Sequence, residues 1–209
     1  MVNSSLNIDL LIPEIAGIIP YKYESIRCSL YDNILNNIIG KKIPNSNKFI
    51  FHMLGIPGSG KTTFIKTVEE INSDNCVLIA FDDIMERIPY YREDNIKLGS
   101  VESFKKWEIP ARVIGYELLV RSIESSLSIF FDHGGLCRQH VSLMSNIRSY
   151  GYKTIMKFMN CDLKTAQERV VKRETVTGRH TPVEMINKRH GLLKELMPIY
   201  KNMVDEFIN

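Results

Sequence analysis

The sequence lacks closely spaced cysteines, long apolar runs and a strong excess of one charge. No apolar run approaches the roughly 20 residues that a membrane-spanning helix needs. Lys and Arg total 27 against 24 Asp and Glu, an excess too small to indicate a nucleic-acid-binding protein. Neither a zinc site nor a disulfide framework is indicated, because the four cysteines stand far apart: Cys28, Cys76, Cys137 and Cys161.

Residues 1–9 contain no Lys or Arg and therefore lack the basic region of a secretory signal. Apolar residues make up 44% of the chain and charged residues 24%, which excludes disordered and collagen-like classes. A length of 209 residues fits one domain with a small appendage. These features predict a soluble protein of a reducing compartment, the cytoplasm, with no membrane association.

Short apolar runs alternate with segments of helical periodicity along the chain. This alternation predicts an α/β fold, a three-layer sandwich whose central sheet is mostly parallel. The predicted strands are 48–54, 76–81, 128–131 and 154–159. The predicted helices are 21–39, 62–71, a helix starting at Pro110, 141–149, 162–173 with Asp162 as N-cap, and 182–209 with a bend near Pro198.

A phosphate-binding loop is the most specific motif in the chain. The residues from 55 to 62 match G-x-x-x-x-G-K-[ST] between a predicted strand and a predicted helix. In such a loop backbone N–H groups face the phosphates, Lys61 reaches the β- and γ-phosphates, and the Thr62 hydroxyl holds Mg²⁺. The motif predicts binding of ATP and Mg²⁺ by Gly55, Pro57, Gly58, Ser59, Gly60, Lys61, Thr62 and Thr63.

An acidic pair, Asp82–Asp83, follows the second predicted strand. Compact P-loop kinases place a carboxylate there to take the proton from an acceptor hydroxyl, whereas a solvated turn is the simpler alternative. A GTPase would carry N-K-x-D to bind guanine, but Asn187–Lys188 is followed by Arg and His. The pair therefore favours a kinase, with either aspartate as the base.

Several cations follow the fourth predicted strand, in a segment without apolar periodicity. Phosphoryl transfer needs positive charge on the migrating group, which mobile lid arginines supply. We predict that Arg173 and Arg179 lie on a flexible lid near residues 172–182 and bind the phosphates of ATP. The same cluster contains Arg169 and Lys172, and Lys172 is interpreted as a solvated residue.

The third predicted strand ends in Asp132. This residue is a candidate for binding Mg²⁺ or the acceptor, and a strand-end turn is the simpler alternative. For His133 and His140 we favour a structural, hydrogen-bonded role, although His133 is also a candidate for contact with the acceptor. Aromatic residues before Pro110 could stack on an acceptor, but we favour core or rim positions for them: Tyr90, Tyr91 and Trp107.

With these motifs together, the chain resembles the zeta toxin family of bacterial toxin–antitoxin systems over residues 38–200. The family consists of P-loop kinases that phosphorylate the 3′-hydroxyl of the amino sugar in UDP-N-acetylglucosamine. The resemblance therefore implies a P-loop kinase domain at 48–209 after a helical extension at 1–47. It also implies a small-molecule hydroxyl acceptor and a small helical antitoxin as partner.

The resemblance implies a role for each matching residue. Asp82 matches the family's base, because it lies 21 residues after Lys61, although Asp83 stays an alternative. Glu117 matches a glutamate that binds the acceptor seven residues after a proline. Asp132 stands at a second acidic position that also contacts the acceptor. The two lid arginines of the family, which contact the ATP phosphates, correspond to Arg173 and Arg179.

One departure from the family lies on the acceptor side. The family's third strand ends acidic-Gly-Thr, with the threonine on the sugar nucleotide, whereas this chain reads Asp132–His133–Gly134–Gly135. Other acceptors therefore stay open: a nucleotide ribose, an antibiotic or an amino acid hydroxyl. A nucleic-acid end kinase is disfavoured by the low net charge. A nucleotide-binding module without catalysis is disfavoured by the intact aspartate and arginines.

Overall fold

The structure, a computed structural model, describes residues 32–72 and 74–209. The first predicted helix begins within these residues only at Asp32, and its earlier part, like Cys28, lies outside them. The strands are β1 Phe49–Leu54, β2 Cys76–Ala80, β3 Ser128–Gly134, β4 Lys153–Phe158 and β5 Glu206–Ile208. The helices are α1 Asp32–Ile39, α2 Lys61–Ile65, α3 Phe81–Arg87, α4 Pro89–Leu98, α5 Ser100–Glu124, α6 Gln139–Ser149, α7 Leu163–Thr177 and α8 Val183–Met203, with a 3₁₀ helix at Glu69–Asn72.

The five strands form one parallel sheet in the order β2-β3-β1-β4-β5. Ile50 of β1 pairs with Ile129 of β3 on one side and with Thr154 of β4 on the other. Parallel strands end at the same edge of a sheet, so the loops after β1, β2 and β3 meet there. The predicted α/β fold is thus confirmed.

Two groups of buried apolar side chains hold the helices on the sheet. The larger group contains Ile50, Ile79 and Phe131 from β1–β3 together with side chains of α1 and α3–α6. The smaller group contains Leu54 and Met156 with side chains of α7 and α8. The strands read as nearly continuous apolar runs because most of their residues are buried, as in sheets with helices on both faces.

Two predicted helix boundaries are wrong. Pro110 does not begin a helix; it lies inside α5, which starts at Ser100 after Gly99. A proline inside a helix removes one hydrogen bond, and burial of Trp107 and Ala111 on either side of it shows that packing outweighs this loss. The helix after the phosphate loop is shorter than predicted, since α2 ends at Ile65 and a 3₁₀ helix follows.

The C-terminal region also differs from the prediction. The chain after Met203 forms β5 instead of continuing the helix, and it adds an edge to the sheet beside β4. Asp205 fixes this turn, since its carboxylate accepts hydrogen bonds from the backbone N–H and the hydroxyl of Thr154. Within the described ranges, no helix is both long and apolar enough to cross a lipid bilayer.

Candidate functional site

The phosphate loop has the backbone shape that its glycines predict. Gly58 and Gly60 have φ values of 84° and 96°, a region that favours glycine. A Cβ on Gly58 would lie 2.3 Å from the carbonyl oxygen of Ala166 in α7. A Cβ on Gly55 would lie 3.0 Å from the carbonyl oxygen of Met159, just after β4. The loop therefore packs on the β4 side of β1, with no room for a side chain at Gly55 or Gly58.

Lys61 begins α2, and its ammonium group turns back over the loop. Its Nζ donates hydrogen bonds to the carbonyl oxygens of Gly55 (2.8 Å) and Ile56 (3.1 Å). Burial lowers the pKa of the Lys61 amine, and the nearby Asp132 carboxylate opposes that shift. Thr62 and Thr63 line the same cavity next to Lys61. The lysine is thus placed where a phosphate could replace the carbonyl oxygens as its partner.

A cavity of about 720 Å³ opens at the carboxyl ends of the strands. Six cations and four carboxylates line it. The cations are Lys61, Arg112, Arg169, Arg173, Arg179 and Arg189, and the carboxylates are Asp82, Asp83, Glu108 and Asp132. A cleft of this size and charge can hold two polar ligands side by side.

Both aspartates of the acidic pair line the cavity from the first turn of α3. Asp82 is about half exposed, and its carboxylate contacts the guanidinium of Arg179. Asp83 is less exposed, and burial raises its pKa while Arg87 and Lys66 oppose that shift. Both carboxylates therefore face the space where an acceptor hydroxyl would lie.

The segment predicted to be a flexible lid is mostly helical. Residues 172–177 are the last turns of α7, so Arg173 lies on a helix, and only 178–182 form a connection without helical structure. The helix extends past its predicted end at residue 173. It ends at Thr177 because Gly178, the next residue, adopts the left-handed conformation. Arg173 donates to the hydroxyl of Thr181 (2.7 Å), and both Arg173 and Arg179 line the cavity.

The connection 178–182 is attached to the neighbouring helices by specific contacts. Asn95 of α4 donates to the carbonyl oxygen of Gly178 (3.0 Å). Glu174 accepts a hydrogen bond from Ser100 (2.7 Å) and pairs with His180 (2.8 Å). These contacts hold Arg179 over Asp82, and burial of its guanidinium lowers the pKa of Arg179 to about 10.

Asp132 lies near the end of β3, the strand that pairs with β1 and the start of the phosphate loop. Burial raises the pKa of its carboxyl group, and the positive charge of Lys61 opposes the rise. Its Oδ1 atom is buried and accepts no hydrogen bond from the described residues. This oxygen and the Thr62 hydroxyl, which lines the same cavity, fit a Mg²⁺ ion whose other ligands are water and phosphate oxygens.

Three buried histidines lie close together: His133 and His140 line the cavity, and His52 of β1 contacts His133. His133 Nδ1 accepts from the N–H of Gly135, so its Nε2 carries the proton and donates to His52 Nδ1 (2.9 Å). His140 Nε2 pairs with the hydroxyl of Tyr116 (2.7 Å). Burial lowers the pKa of His52 and His140 to about 3 and that of His133 well below its usual value. Both His133 and His140 are hydrogen-bonded, as favoured from the sequence, and both line the cavity, so contact of His133 with the acceptor stays a prediction.

The predicted contact of Glu117 with the acceptor is not supported by its position. Glu117 lies on α5 outside the cavity lining, and Arg121 donates to its carboxylate (3.1 Å). The cavity-facing side of α5 instead carries residues at helical spacing, which include Glu108, Arg112 and Tyr116. Contact of Glu117 with the acceptor therefore stays a prediction.

Arg189 of α8 is a cavity residue that the sequence analysis missed. It lies in the middle of a long amphipathic helix, and its chain position gives no sign that it faces the phosphate loop. Tyr91 and Trp107 are buried, and Tyr90 stacks on Trp107 at 6.3 Å between ring centroids. These aromatics are not among the cavity-lining residues, so the core or rim positions favoured for them are confirmed.

Comparisons with known proteins agree with this geometry. A chain from the PezAT chromosomal toxin–antitoxin system of Streptococcus pneumoniae superimposes with a TM-score of 0.68 at 15% identity, covering 90% of this chain and 77% of that one. A putative kinase from Chloroflexus aurantiacus superimposes with a TM-score of 0.50 at 18% identity, covering 72% and 78%. A search of curated protein sequences finds no significant match.

The structural matches are too distant in sequence to show more than the fold. The family comparison is independent of them and covers the phosphate loop, the acidic pair, Asp132 and both lid arginines. The sequence profile described as Zeta toxin matches residues 37–203. The chain has the fold of a P-loop kinase and belongs to the zeta toxin family.

Proposed function

We propose that this protein is an ATP- and Mg²⁺-dependent kinase that phosphorylates a hydroxyl group of a small molecule. The observation that carries the proposal is the convergence of three groups on one cavity: the phosphate loop with Lys61, the carboxylates of Asp82 and Asp83, and the guanidiniums of Arg173 and Arg179. Phosphoryl transfer requires a phosphate cradle, a base and positive charge on the migrating group.

In the proposed reaction, the acceptor oxygen attacks the γ-phosphorus and the bond to the β,γ-bridging oxygen breaks, which leaves ADP. Asp82 accepts the hydroxyl proton, and Asp83 is the alternative base. Lys61 and the loop N–H groups hold the β- and γ-phosphates, while Arg173 and Arg179 neutralise charge on the transferred group. Thr62 and Asp132 would hold Mg²⁺, which would supply positive charge to balance the negative charge of the phosphates.

Ligand binding must rearrange two contacts in this scheme. Lys61 now donates to the carbonyl oxygens of Gly55 and Ile56, and Arg179 contacts Asp82. A γ-phosphate offers both cations a stronger, doubly charged partner. Binding of ATP would therefore draw Arg179 away from Asp82 and leave that carboxylate free to accept a proton.

For the acceptor we propose UDP-N-acetylglucosamine, phosphorylated at the 3′-hydroxyl of the amino sugar, on the basis of membership in the zeta toxin family. The cavity has its own composition, however: Glu108, Arg112 and Arg189 line it, and Gly134 ends β3. A related metabolite with another hydroxyl is the second candidate.

Mass spectrometry of a metabolite extract, incubated with the protein and Mg-ATP, tests the proposed function. We expect one metabolite to gain the mass of a phosphoryl group, and purified UDP-N-acetylglucosamine to give the same product. A phosphorylated metabolite of another kind would overturn the acceptor. No mass shift in any metabolite, with folded protein that binds ATP, would overturn the kinase assignment.

We also propose that a small helical antitoxin binds this protein. Support comes from family membership and from the structural likeness to a chain of a toxin–antitoxin system. Co-purification of the protein with the product of an adjacent small gene, and loss of its kinase activity in that complex, is the expected outcome. A neighbouring gene product that neither binds nor inhibits would count against it.

A further inference from the structure

Arg179 lies on the connection 178–182 between α7 and α8, which has no helical structure of its own. Its guanidinium reaches the cavity, where it contacts Asp82 and lies 3.9 Å from the carboxylate of Glu86. A long side chain on a short irregular segment loses much conformational freedom when it is held in one place. Where Arg179 meets a ligand therefore depends on what restrains the connection.

Asn95, near the end of α4, restrains the start of this connection. Its Nδ2 atom donates to the carbonyl oxygen of Gly178 at 3.0 Å and lies 3.4 Å from the hydroxyl of Tyr91. Gly178 has a φ of 67° and directly precedes Arg179. A Cβ on Gly178 would lie 3.0 Å from Oδ1 of Asn95, so the amide packs against the glycine as well as bonding to it. A side chain of another helix thus helps to set the direction in which the chain leaves α7.

Ser100, the first residue of α5, restrains the connection through Glu174. The Ser100 hydroxyl donates to Oε1 of Glu174 at 2.7 Å, and the same oxygen pairs with Nδ1 of His180 at 2.8 Å. The ring of His180 also meets that of Phe104 of α5 nearly at a right angle, with 5.9 Å between the centroids. Arg179 therefore has restrained neighbours on both sides in the chain.

The two helices meet without help from these side chains. The N–H of Gly99, between α4 and α5, bonds to the backbone carbonyl of Asn95 and ends α4 with main-chain groups alone. The side chains of Asn95 and Ser100 are thereby available to residues 83 and 74 positions away in the chain. Neither residue is among those that line the cavity, so each can affect a bound ligand only through the connection.

We propose that Asn95 and Ser100 are positioning residues, which hold Arg179 where it meets the γ-phosphate of ATP. They act through Gly178 and Glu174 and not by contact with either ligand. This inference rests on the proposed kinase function, because it concerns an arginine assigned there to the transferred group. The helices between β2 and β3 then have two roles, since they carry the acidic pair and also set the position of the cation.

Nucleotide binding tests the inference without any acceptor. ADP lacks the γ-phosphate, so the preference of the protein for a non-hydrolysable ATP analogue over ADP measures the contacts with that group, including that of Arg179. Calorimetric titrations with Mg²⁺ should show this preference reduced about fivefold in Asn95→Ala and in Ser100→Ala, with the affinity for ADP unchanged. Ser100→Thr, which keeps the hydroxyl, should retain the preference. Asn146→Ala, at an exposed position of α6, is the matched control.

A double-mutant cycle distinguishes a positioning role from a merely structural one. Arg179→Ala should itself reduce the preference for the ATP analogue. In that background Asn95→Ala should have no further effect, because both changes act through one guanidinium. Additive losses, an equal loss of ADP affinity, or a wild type with no preference would each overturn the inference. Asn95 and Ser100 are partly exposed, so alanine should leave the fold intact, which melting temperatures check.

Turnover separates this inference from the proposed function. With any acceptor that the protein phosphorylates, Asn95→Ala and Ser100→Ala should each lower kcat about tenfold, and the acceptor KM should change little. If kcat is unchanged in both variants, the inference fails and the kinase function stands. If the variants lose the preference for the ATP analogue but wild-type protein phosphorylates no metabolite, the kinase function fails and the role of Asn95 and Ser100 stands.

Discussion

The two halves of the cavity are built in different ways. The proposed nucleotide half is centred on a continuous stretch of backbone, residues 55–62, whose glycines set the shape of the phosphate loop. The acceptor half is assembled from side chains of α3, α5, β3 and α8, which are far apart in the sequence. A function that depends on backbone shape can be recognised from a short motif, whereas one that depends on tertiary packing cannot.

The largest effect should come from removal of the charge that the nucleotide half supplies. Lys61→Met should lower kcat roughly 10³- to 10⁵-fold, in the range reported for cations that stabilise transferred phosphoryl groups. Lys172→Met, at an exposed lysine that the sequence analysis interpreted as solvated, is the control and should have little effect. Steady-state kinetics with labelled ATP measures both variants. Comparable losses of kcat in the two would contradict a specific role of Lys61 in the nucleotide half.

The acidic pair, Asp82–Asp83, lies where the two halves of the cavity meet, and substitution of each aspartate tests which one is the base. Asp82→Asn should lower kcat roughly 10²- to 10⁴-fold with little change in ATP affinity, because general-base catalysis contributes about that much. Asp83→Asn should lose far less activity. Rates measured at saturating ATP and acceptor distinguish the two variants. Normal transfer by Asp82→Asn with an inactive Asp83→Asn would assign the base to Asp83.

Backbone shape in the nucleotide half can be tested at a single glycine. Gly58→Ala places a Cβ against the carbonyl oxygen of Ala166 at a positive φ, which should cost about 1–3 kcal/mol in stability or in ATP binding. Gly191→Ala, in open space within α8, should instead stabilise the fold by about 0.5–1 kcal/mol. Thermal unfolding and ATP titration measure both, and a neutral Gly58→Ala would contradict a tightly packed loop.

The buried histidines His52 and His140 predict a dependence of stability on pH. Folding holds the pKa of His52 and His140 near 3, below the value of about 6.5 in an unfolded chain. The unfolded state therefore binds extra protons as pH falls below about 6.5, and stability decreases by up to about 1.4 kcal/mol per pH unit for each histidine. This loss continues down towards pH 3.

Replacement of one histidine gives the matched comparison. His140→Gln keeps a hydrogen-bonding group near Tyr116 but cannot be protonated, so its stability should fall less steeply than that of the wild type between pH 7 and pH 5. Denaturant unfolding at each pH measures the slope. Equal slopes in the two proteins would show that His140 is not kept neutral by burial.

Sequence reasoning succeeded where local patterns set the structure. The four apolar strands, the phosphate loop and the N-cap at Asp162, whose side chain accepts from the N–H of Thr165, all depend on neighbours in the chain. It failed where packing between residues far apart in the chain determines the structure. Proline is common at the first position of a helix, but Pro110 lies inside α5, where packing of the buried side stabilises a continuous helix.

The same limit explains why cavity-lining side chains are hard to predict. Glu117 was predicted from its distance to Pro110, whereas the side of α5 that faces the cavity depends on how the whole helix packs on the sheet. Arg189 follows α7 and the connection by many residues, and its proximity to Asp132 exists only in the folded chain. Strand β5 has three residues, too few for any periodic pattern.

A crystal structure with Mg²⁺ and a non-hydrolysable ATP analogue tests the central claim most directly. The account predicts that the loop amides and Lys61 surround the β- and γ-phosphates, that Arg173 and Arg179 contact the terminal phosphate, and that the Asp82 carboxylate faces the γ-phosphorus across room for one hydroxyl. A nucleotide bound with both guanidiniums in solvent and Asp82 turned away from the γ-phosphorus would contradict it.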